Sequence, residues 1–192
     1  MVDAIFRVWS TFYDNPVQQR LYFRPIQEAA RKALGDTPGR VLDLGCGTGE
    51  LTAQLPNSIG ADLSLGMLKR AWQKPTLAGR LVVADGHSLP LADASVDAVT
   101  CLISFQYYLR PLQALREMRR VTAPGGCVIL GALTSSALQV QAISNAMRVA
   151  TGGMFRVYAP TELHDLFVEA GFAGVEHRLI RPFTRLFVAP VS

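Results

Sequence analysis

An apolar run at residues 41–44 leads directly into three glycines at alternate positions. The one charged residue of the run is Asp43, and the glycines are Gly45, Gly47 and Gly49. Glycine adopts positive φ readily and lacks a Cβ, so a bound molecule can lie directly against the backbone. Helix-compatible residues resume after the turn. A strand, a glycine turn and a helix in this order predict the start of a doubly wound α/β sheet, whose ligands bind beyond the carboxyl ends of the strands.

The glycine turn departs from the dinucleotide-binding pattern at one position. That pattern is G-x-G-x-x-G or G-x-G-x-x-A, and its last small residue packs the helix against the strand beneath a pyrophosphate. Here Glu50 occupies that position. A carboxylate repels a pyrophosphate, whereas a cationic ligand without phosphate meets no such repulsion. Together with the absence of a catalytic tyrosine–lysine or histidine arrangement, Glu50 disfavours a nicotinamide-dependent oxidoreductase.

Acidic residues also follow the next two predicted strands. Asp62 comes directly after residues 58–61, and Asp85 comes directly after residues 81–84. Because parallel strands end at the same edge of a sheet, both acids are expected beside the glycine turn. A carboxylate at the end of the second strand suits two ribose hydroxyls, which it binds as a hydrogen-bond acceptor.

Each of these residues also has a purely structural interpretation. Asp43 can accept hydrogen bonds from the amides of the turn. Asp62 can cap the following helix, although Ser64 is a good N-cap for the same helix. Asp85 can cap a local turn. Met67 lies on a helix, where methionine is usually part of the core.

Five segments of the chain resemble, in order, the motifs of class I S-adenosylmethionine-dependent methyltransferases of the small-molecule, methyltransferase-11-like type. They read VLDLGCGTG, ADLSLGMLKRA, VVADGHSLPL, DASVDAVTCLISF and ALREMRRVTAPGG, and they cover about residues 40–133. The resemblance implies S-adenosylmethionine as cofactor. It also implies an α/β, Rossmann-like, doubly wound and mostly parallel seven-stranded sheet of order 3-2-1-4-5-7-6, with the last strand antiparallel and helices on both faces.

The resemblance further implies a set of cofactor-binding residues around the glycine turn and the acids. This set is Asp43, Gly45, Cys46, Gly47, Thr48, Gly49, Asp62, Leu63, Met67, Asp85, Gly86, His87, Cys101 and Leu102. In that family the glycine turn lies under the methionine part of the cofactor, the second-strand acid holds the ribose, and the third acid holds the adenine amino group. Leu63 and Met67 would form apolar walls. The backbone carbonyls of Cys101 and Leu102 would bind the amino group of the cofactor.

Periodicity and turn signals predict the rest of the fold. We expect a strand at 96–103, a helix from Pro111, a strand at 127–133, a helix capped by Thr161, and strands at 175–180 and 184–188 joined at Arg181 and Pro182. The nearly continuous apolar run at 96–103 is typical of a central parallel strand that is covered on both faces.

We predict one methyltransferase domain over residues 1–192. Its parts are an N-terminal helical lid at 1–39, a cofactor-binding core at 40–133, a helical insertion at 134–159, and a C-terminal helix and β-hairpin at 160–192. The stretch 137–150 carries one charge, Arg148, and therefore predicts a helix buried on several sides. Gly152 and Gly153 could serve as a hinge if the two flanking segments close over the site.

Methyl transfer from a sulfonium requires mainly that the acceptor atom be aligned and that water be excluded. A base is needed only if the acceptor has a high pKa. The candidates near the expected opening of the site are Gln106, Tyr107 and Tyr108, which follow strand four, and Tyr13, which lies on an apolar stripe of the amino-terminal segment. Of these, Tyr107 and Tyr13 are the candidate catalytic residues. Packing is the alternative for both. The family often carries a histidine after strand four, and because this chain has none there, histidine-assisted deprotonation is not expected.

The motifs that this chain lacks exclude several classes of methyl acceptor. The segment after strand four reads LISFQYY. It lacks the Pro-Pro-aromatic motif of enzymes that methylate nucleic-acid bases, the carboxylates of metal-dependent catechol methyltransferases and the paired glutamates of arginine methyltransferases. A small, mostly apolar acceptor with an oxygen, nitrogen or carbon nucleophile remains. The aromatic amino-terminal stripe also admits a quinone or lipid headgroup at a membrane surface. A non-catalytic S-adenosylmethionine-binding subunit stays open, because no base is identifiable.

Composition favours a cytoplasmic protein without a nucleic-acid partner. The formal charge is +4, from 19 basic and 15 acidic residues, and the arginines are scattered. The chain has no apolar run of about 18 residues, so we expect no stable membrane insertion, and its start lacks the apolar run of a signal peptide. The cysteines Cys46, Cys101 and Cys127 lack the paired spacing of a zinc site, so no metal is expected. The sequence does not indicate the oligomeric state.

Overall fold

Seven β-strands form one sheet in the part of the chain that the computed structural model describes, which is residues 17, 19–35, 39–150, 152–153 and 155–192. The strands are β1 (Val41–Leu44), β2 (Ser58–Asp62), β3 (Leu81–Val83), β4 (Val96–Leu102), β5 (Thr122–Leu133), β6 (Glu176–Arg181) and β7 (Thr184–Pro190). The α-helices of these residues are α1 (Arg24–Leu34), α2 (Glu50–Gln54), α3 (Leu65–Ala71), α4 (Pro111–Val121), α5 (Leu138–Ala150) and α6 (Pro160–Glu169). A π-helical turn at Gln19–Phe23 precedes α1, and short 3-10 turns occur at Pro75–Leu77 and Phe105–Tyr107.

The strand order is β3-β2-β1-β4-β5-β7-β6. Pairing is parallel between β1 and its neighbours β2 and β4, between β2 and β3, and between β4 and β5. Strand β7 is antiparallel to both β5 and β6. The predicted order 3-2-1-4-5-7-6 with an antiparallel last strand is therefore confirmed. Because β1 to β4 are parallel, the loops that follow them meet at one edge of the sheet.

Helices cover both faces of the sheet, as the alternation along β5 shows. Val128 and Leu130 belong to a buried cluster that includes Leu115 of α4, whereas Ile129 between them packs with Ala30 of α1. Successive side chains of a strand point to opposite faces, so α4 and α1 lie on opposite sides. The central strands are buried on both faces for this reason, as the apolar sequence of β4 predicts.

Strand β5 begins earlier than predicted. It starts at Thr122 rather than at Cys127, because the Pro-Gly-Gly sequence remains part of the strand. Gly125 donates its N–H to the carbonyl of Val191 at 2.7 Å, and Val191 donates to the carbonyl of Gly126 at 2.9 Å. These long-range bonds hold the segment extended, and the irregularity appears instead as a register shift against β4.

The predicted N-cap of α6 is wrong. Helix α6 begins at Pro160, and Ala159 rather than Thr161 is its N-cap residue. Proline fits the first helical position because the N–H that it lacks has no partner there. Glu162 then supplies the capping interaction, since its Oε2 accepts the N–H of Ala159 at 3.4 Å.

The hairpin between β6 and β7 turns one residue later than predicted. Arg181 still pairs with Thr184, so the turn consists of Pro182 and Phe183 rather than Arg181 and Pro182. Phe183 has a φ of 61° in this turn. Such a positive φ is uncommon for a non-glycine residue, and the sequence carries no sign of it.

Helix α5 is exposed, which contradicts the predicted burial on several sides. Ser144 is its one buried residue, while the side chains of Leu138 and Val149 are 86% and 80% exposed. Hydrogen bonds from two of its side chains attach the helix to the rest of the fold. Ser144 Oγ accepts the N–H of Val157 at 2.8 Å, and Gln141 Nε2 donates to the carbonyl of Ser135 at 2.5 Å. Among the described helices, none has the length and apolar character that crossing a bilayer requires.

Candidate functional site

A cleft with about 1150 Å³ of empty space, part of it open to solvent, lies at the carboxyl ends of β1 to β4. The loops after these strands form its floor and sides, and residues of Gln19–Phe23 and α1 form another wall. This is the edge at which the sequence places the ligand.

Most of the predicted cofactor-binding residues line this cleft. They are Asp43, Gly45, Cys46, Gly47, Thr48, Asp62, Leu63, Met67, Asp85, Gly86, His87 and Leu102. Gly49 and Cys101 are not among the lining residues. Gly49 packs behind the turn, where a Cβ would lie 2.4 Å from Leu77 Cδ1. Cys101 is fully buried, with its Sγ 3.1 Å from Ser104 Oγ.

The glycine turn requires glycine at two positions for different reasons. Gly45 has a φ of 70°, and a Cβ on it would lie 2.3 Å from Ser104 Oγ. Gly47 has a φ of 57° but faces open space. Conformation thus requires glycine at both positions, and close packing requires it at Gly45 as well. The backbone of the turn is consequently bare on the cleft side.

Asp62 joins the glycine turn to helix α3. Its Oδ2 accepts the N–H of Gly47 and its Oδ1 accepts the N–H of Ser64, both at 2.8 Å. Ser64 caps α3 as predicted, since its Oγ accepts the N–H of Met67 at 3.4 Å. Each carboxylate oxygen has a second lone pair, so Asp62 can still accept hydrogen bonds from a ligand. Burial raises the pKa of Asp62, and its backbone hydrogen bonds offset only part of that rise.

Asp43 lies on the floor of the cleft and is 3% exposed. Thr52 Oγ1 donates to its Oδ2 at 2.6 Å, and Thr100 Oγ1 donates to its Oδ1 at 3.0 Å. The hydroxyls of two threonines thus hold this carboxylate. Burial raises the pKa of Asp43 to about 6, because the threonine hydrogen bonds only partly offset the loss of solvation. The nearby Asp62 carboxylate raises it further.

Asp85 is held by the residue two positions later. Its Oδ1 accepts the backbone N–H of His87 at 2.9 Å and lies 2.6 Å from His87 Nδ1. Desolvation acts to raise the pKa of Asp85, but the hydrogen bonds from His87 outweigh it and lower the pKa overall. Asp85 is therefore ionised at neutral pH.

The loop after β4 contains a strained residue that the sequence does not reveal. Ile103 lines the cleft with a φ of 55°, which is a rare conformation for a β-branched side chain. Its N–H donates to the carbonyl of Gly131 at 2.7 Å, and its own carbonyl accepts Gln106 Nε2 at 2.9 Å. These two bonds over-determine the backbone there, as is common at functional sites. They also fix where the following residues enter the cleft.

Tyr107 lines the cleft, whereas Tyr13 lies outside the described residues. The Tyr107 ring packs against Phe155, with 5.8 Å between ring centroids. Burial raises the pKa of Tyr107, so its hydroxyl remains protonated at neutral pH. Such a group can orient an acceptor by donating or accepting a hydrogen bond, but it is a poor base.

Several lining residues were not predicted. They are Gln19, Phe23, Ile26, Gln27, Leu44, Glu50, Leu51, Ser64, Ala84, Ile103 and Ser104, whereas Tyr108 was expected near the opening and does line the cleft. For the four residues from Gln19 to Gln27 the signal in the sequence was indirect, because the amino-terminal segment was expected beside this edge without any particular residue being indicated. Glu50 is paired with Lys74, whose Nζ lies 2.6 Å from both Glu50 Oε1 and the carbonyl oxygen of Thr48. Among the described residues that line the cleft there is no lysine or arginine.

Comparison with known proteins gives a match over the central part of the chain. The model of the family described as methyltransferase domain matches residues 42–130. Demethylmenaquinone methyltransferase of Corynebacterium kroppenstedtii is 42% identical over 110 residues, which cover 52% of this chain and 44% of that protein. Malonyl-[acyl-carrier protein] O-methyltransferase of Methylococcus capsulatus is 40% identical over 106 residues, which cover 51% of this chain and 38% of that protein. The matched region thus spans less than half the length of either relative.

A solved structure is similar over nearly the whole chain. A SAM-dependent methyltransferase from Thermotoga maritima superposes with a TM-score of 0.78 at 21% identity, and the match covers 98% of this chain and 99% of that one. A likeness at this level of identity shows the fold, and it agrees with the strand order described above.

The raised pKa of Asp43 predicts a pH-dependent stability. The folded protein binds this proton more tightly than the unfolded chain, so stability from this group is present at low pH and is lost as the pH rises from about 4 to about 6. The loss is on the order of 2–3 kcal/mol. Urea unfolding of the wild type and of Asp43→Asn at pH 4.5 and pH 7 measures it, because the variant cannot ionise there. A stability difference between the two proteins that does not change with pH would contradict the assignment.

The close packing around Gly45 predicts that a larger residue at this position lowers the stability of the protein. Gly45→Ala is expected to destabilise the protein through its left-handed φ, by about 1–2 kcal/mol, and through the clash with Ser104, by about 1–3 kcal/mol more. Gly79→Ala is the matched control, because Gly79 has a φ of 71° and nothing lies within 4 Å of its added Cβ. Equal free energies of unfolding for the two variants would show that the close contact at Gly45 is absent.

Proposed function

We propose that this chain, whose residues 42–130 match the model of the methyltransferase domain family, transfers a methyl group from S-adenosylmethionine to an oxygen, nitrogen or carbon nucleophile of a small, largely apolar acceptor. The observation that carries the proposal is a cleft with bare glycine backbone and carboxylates at neighbouring strand ends, without a lysine or arginine among its described lining residues. Such a site favours a cationic ligand and disfavours a pyrophosphate.

The residues of the cleft fit the parts of such a cofactor. The glycine turn, from Gly45 to Gly49 and including Cys46 and Thr48, would lie under its methionine part. Asp62 would accept hydrogen bonds from the ribose hydroxyls, and Asp85, beside Gly86 and His87, from the adenine amino group. Leu63 and Met67 would contact the adenine as apolar walls. Asp43 and the backbone at Cys101 and Leu102 would face its amino group and positive charge.

When bound, S-adenosylmethionine supplies an electrophilic methyl group, so the chain itself has to align the acceptor and exclude water. Tyr107 is the described residue best placed to orient an acceptor, because it lines the cleft with a protonated hydroxyl. Tyr13 remains a second candidate for the same role. Segments 1–39 and 134–159 are proposed to cover the cleft as parts of a single domain, with Gly152 and Gly153 as the hinge. Phe23 and Ile26 support this role, because both already form part of the cleft wall.

A second candidate function is methylation of a quinone or lipid headgroup at a membrane surface. Two observations favour it. Relatives of the matched region include demethylmenaquinone methyltransferase, and α5 exposes Leu138, Ile143 and Val149. A non-catalytic subunit that binds S-adenosylmethionine would keep the cleft but transfer no methyl group.

We place the protein in the cytoplasm, where the free thiols of Cys46, Cys101 and Cys127 would remain reduced.

Ligand-binding measurements test the proposed identity of the cofactor. Isothermal calorimetry is expected to show saturable binding of S-adenosylhomocysteine and no binding of NAD. Asp62→Ala should weaken the affinity by about 10-fold or more, because charge-assisted hydrogen bonds to the ribose are lost. Asp93→Ala is the control, since Asp93 lies outside the cleft lining and pairs with Arg120. Binding of NAD with no binding of S-adenosylhomocysteine would end the proposal.

The same titration with 2′-deoxy-S-adenosylhomocysteine separates direct contact from indirect effects. The wild type should bind the deoxy compound more weakly than the parent, and Asp62→Ala should lose this discrimination. If the variant instead discriminated as well as the wild type, Asp62 would act only through Gly47 and Ser64.

Acceptor orientation gives a kinetic prediction. Once an acceptor is found by screening with radiolabelled donor, Tyr107→Phe should lower kcat by about 10-fold while leaving the affinity for S-adenosylhomocysteine within about 2-fold, because a lost orienting hydrogen bond costs about 1–1.5 kcal/mol. An unchanged kcat would assign Tyr107 to packing. A protein that binds the donor but methylates no tested quinone, lipid headgroup or small apolar acceptor would favour the non-catalytic alternative.

A further inference from the structure

The His87 imidazole joins the loop after β3 to the start of helix α4. Its Nδ1 lies 2.6 Å from Asp85 Oδ1, and its Nε2 accepts the backbone N–H of Arg110 at 3.2 Å. Arg110 is the residue directly before helix α4. The His87 side chain is 12% exposed, whereas the Asp85 side chain is 45% exposed. The carboxylate is therefore the more exposed member of the pair, and both residues line the cleft.

The contact with Arg110 determines which ring nitrogen carries the proton. A backbone N–H can only donate, so Nε2 must be unprotonated to accept from Arg110. The proton of the neutral ring is therefore on Nδ1, which donates it to Asp85 Oδ1. Within the described part of the chain, both hydrogen bonds to the Asp85 side chain end on this oxygen, one from Nδ1 and one from the His87 N–H. The other oxygen, Oδ2, has no hydrogen-bond partner among the described residues.

The loop that carries this pair is fixed onto helix α4. Gln113 Nε2 donates to the carbonyl of His87 at 2.7 Å, and the N–H of Leu89 donates to Glu117 Oε2 at 2.8 Å. Tyr108 closes the other side, with its ring centroid 5.3 Å from that of His87. With its backbone and both ring nitrogens engaged, His87 has little freedom to move, and it can hold its partner in one orientation.

We propose that His87 is a positioning residue that holds Asp85 Oδ1, so that Oδ2 faces the cleft and makes the site select a 6-aminopurine over a 6-oxopurine. The inference rests on the proposed function, because it assumes an adenosyl ligand. An ionised carboxylate only accepts hydrogen bonds, so it pairs with the N–H groups of a 6-amino substituent. A 6-oxo group is also an acceptor, and it would face the carboxylate unpaired.

Free rotation would remove this selectivity. The terminal torsion of an aspartate side chain is broad, so a carboxylate without a fixed partner samples many orientations. Without the imidazole, Asp85 could turn away from the purine and toward other donors, such as the charge of Arg110, which already acts on it. The expected consequence is a lower preference between two purines rather than a uniform loss of binding.

Calorimetric titration with S-adenosylhomocysteine and its 6-oxo counterpart, S-inosylhomocysteine, tests the proposal. The wild type is expected to prefer the amino compound by about 10-fold or more. His87→Ala should reduce this preference to about one third of the wild-type ratio or less. His87→Asn should keep it within about 2-fold, because the side-chain nitrogen of asparagine can take the place of Nδ1 and still donate to Asp85. His164→Ala, in the exposed part of α6, is the control and should keep the wild-type ratio.

The possible outcomes separate this inference from the proposed function. If the wild type binds neither compound, the proposed function fails. If the wild type binds S-adenosylhomocysteine selectively and His87→Ala keeps the full preference, the role of His87 is wrong while the proposed function stands. A loss of preference in His87→Ala that His87→Asn restores supports the role.

If His87→Ala does not fold, nitrogen NMR of the wild-type imidazole decides the question without any variant. A neutral ring protonated at Nδ1 is expected. A ring protonated at Nε2 would overturn the inference, since Nδ1 could then not donate to Asp85.

Discussion

The two oxygens of the Asp62 carboxylate accept N–H groups from two separate segments, and the shape of the cleft depends on these bonds. One N–H belongs to Gly47 in the glycine turn and the other to Ser64 at the start of α3. Gly45 and Cys46 add to this connection by donating to the carbonyl of Ala61 on β2. Only an acceptor-only side chain at the end of a parallel neighbour can make both side-chain bonds. The turn is thereby shaped before any ligand arrives, which lowers the entropic cost of binding.

The negative charge of the cleft follows from the same arrangement of strands. Asp43 and Asp62 are brought close together by the parallel pairing of β1 and β2, and burial raises the pKa of both. No lysine or arginine among the described lining residues neutralises them. Threonine hydroxyls hold Asp43 in place without cancelling its charge. A cation that enters the cleft would therefore replace solvation that the carboxylates have lost, which gives a physical reason for preferring a sulfonium over a pyrophosphate.

The resemblance to class I methyltransferases predicted the strand order, whereas the glycine turn and the acids at successive strand ends predicted the edge that bears the cleft. The sequence was not sufficient where long-range hydrogen bonds decide the backbone. The φ of Ile103 depends on Gly131, and the early start of β5 depends on Val191. The exposure of α5 was missed because periodicity indicates an apolar helix but not what covers it. The proposed positioning role of His87 could not be predicted for a related reason, since its contact with Arg110 joins residues that are distant in the sequence.

A crystal structure with S-adenosylhomocysteine bound would test the central claim most directly. The account predicts the ribose hydroxyls within hydrogen-bonding distance of Asp62, the homocysteine part over Gly45 to Gly47, and the adenine amino group at Asp85 Oδ2. A ligand bound elsewhere, or one bound in the cleft with its ribose away from Asp62, would contradict it.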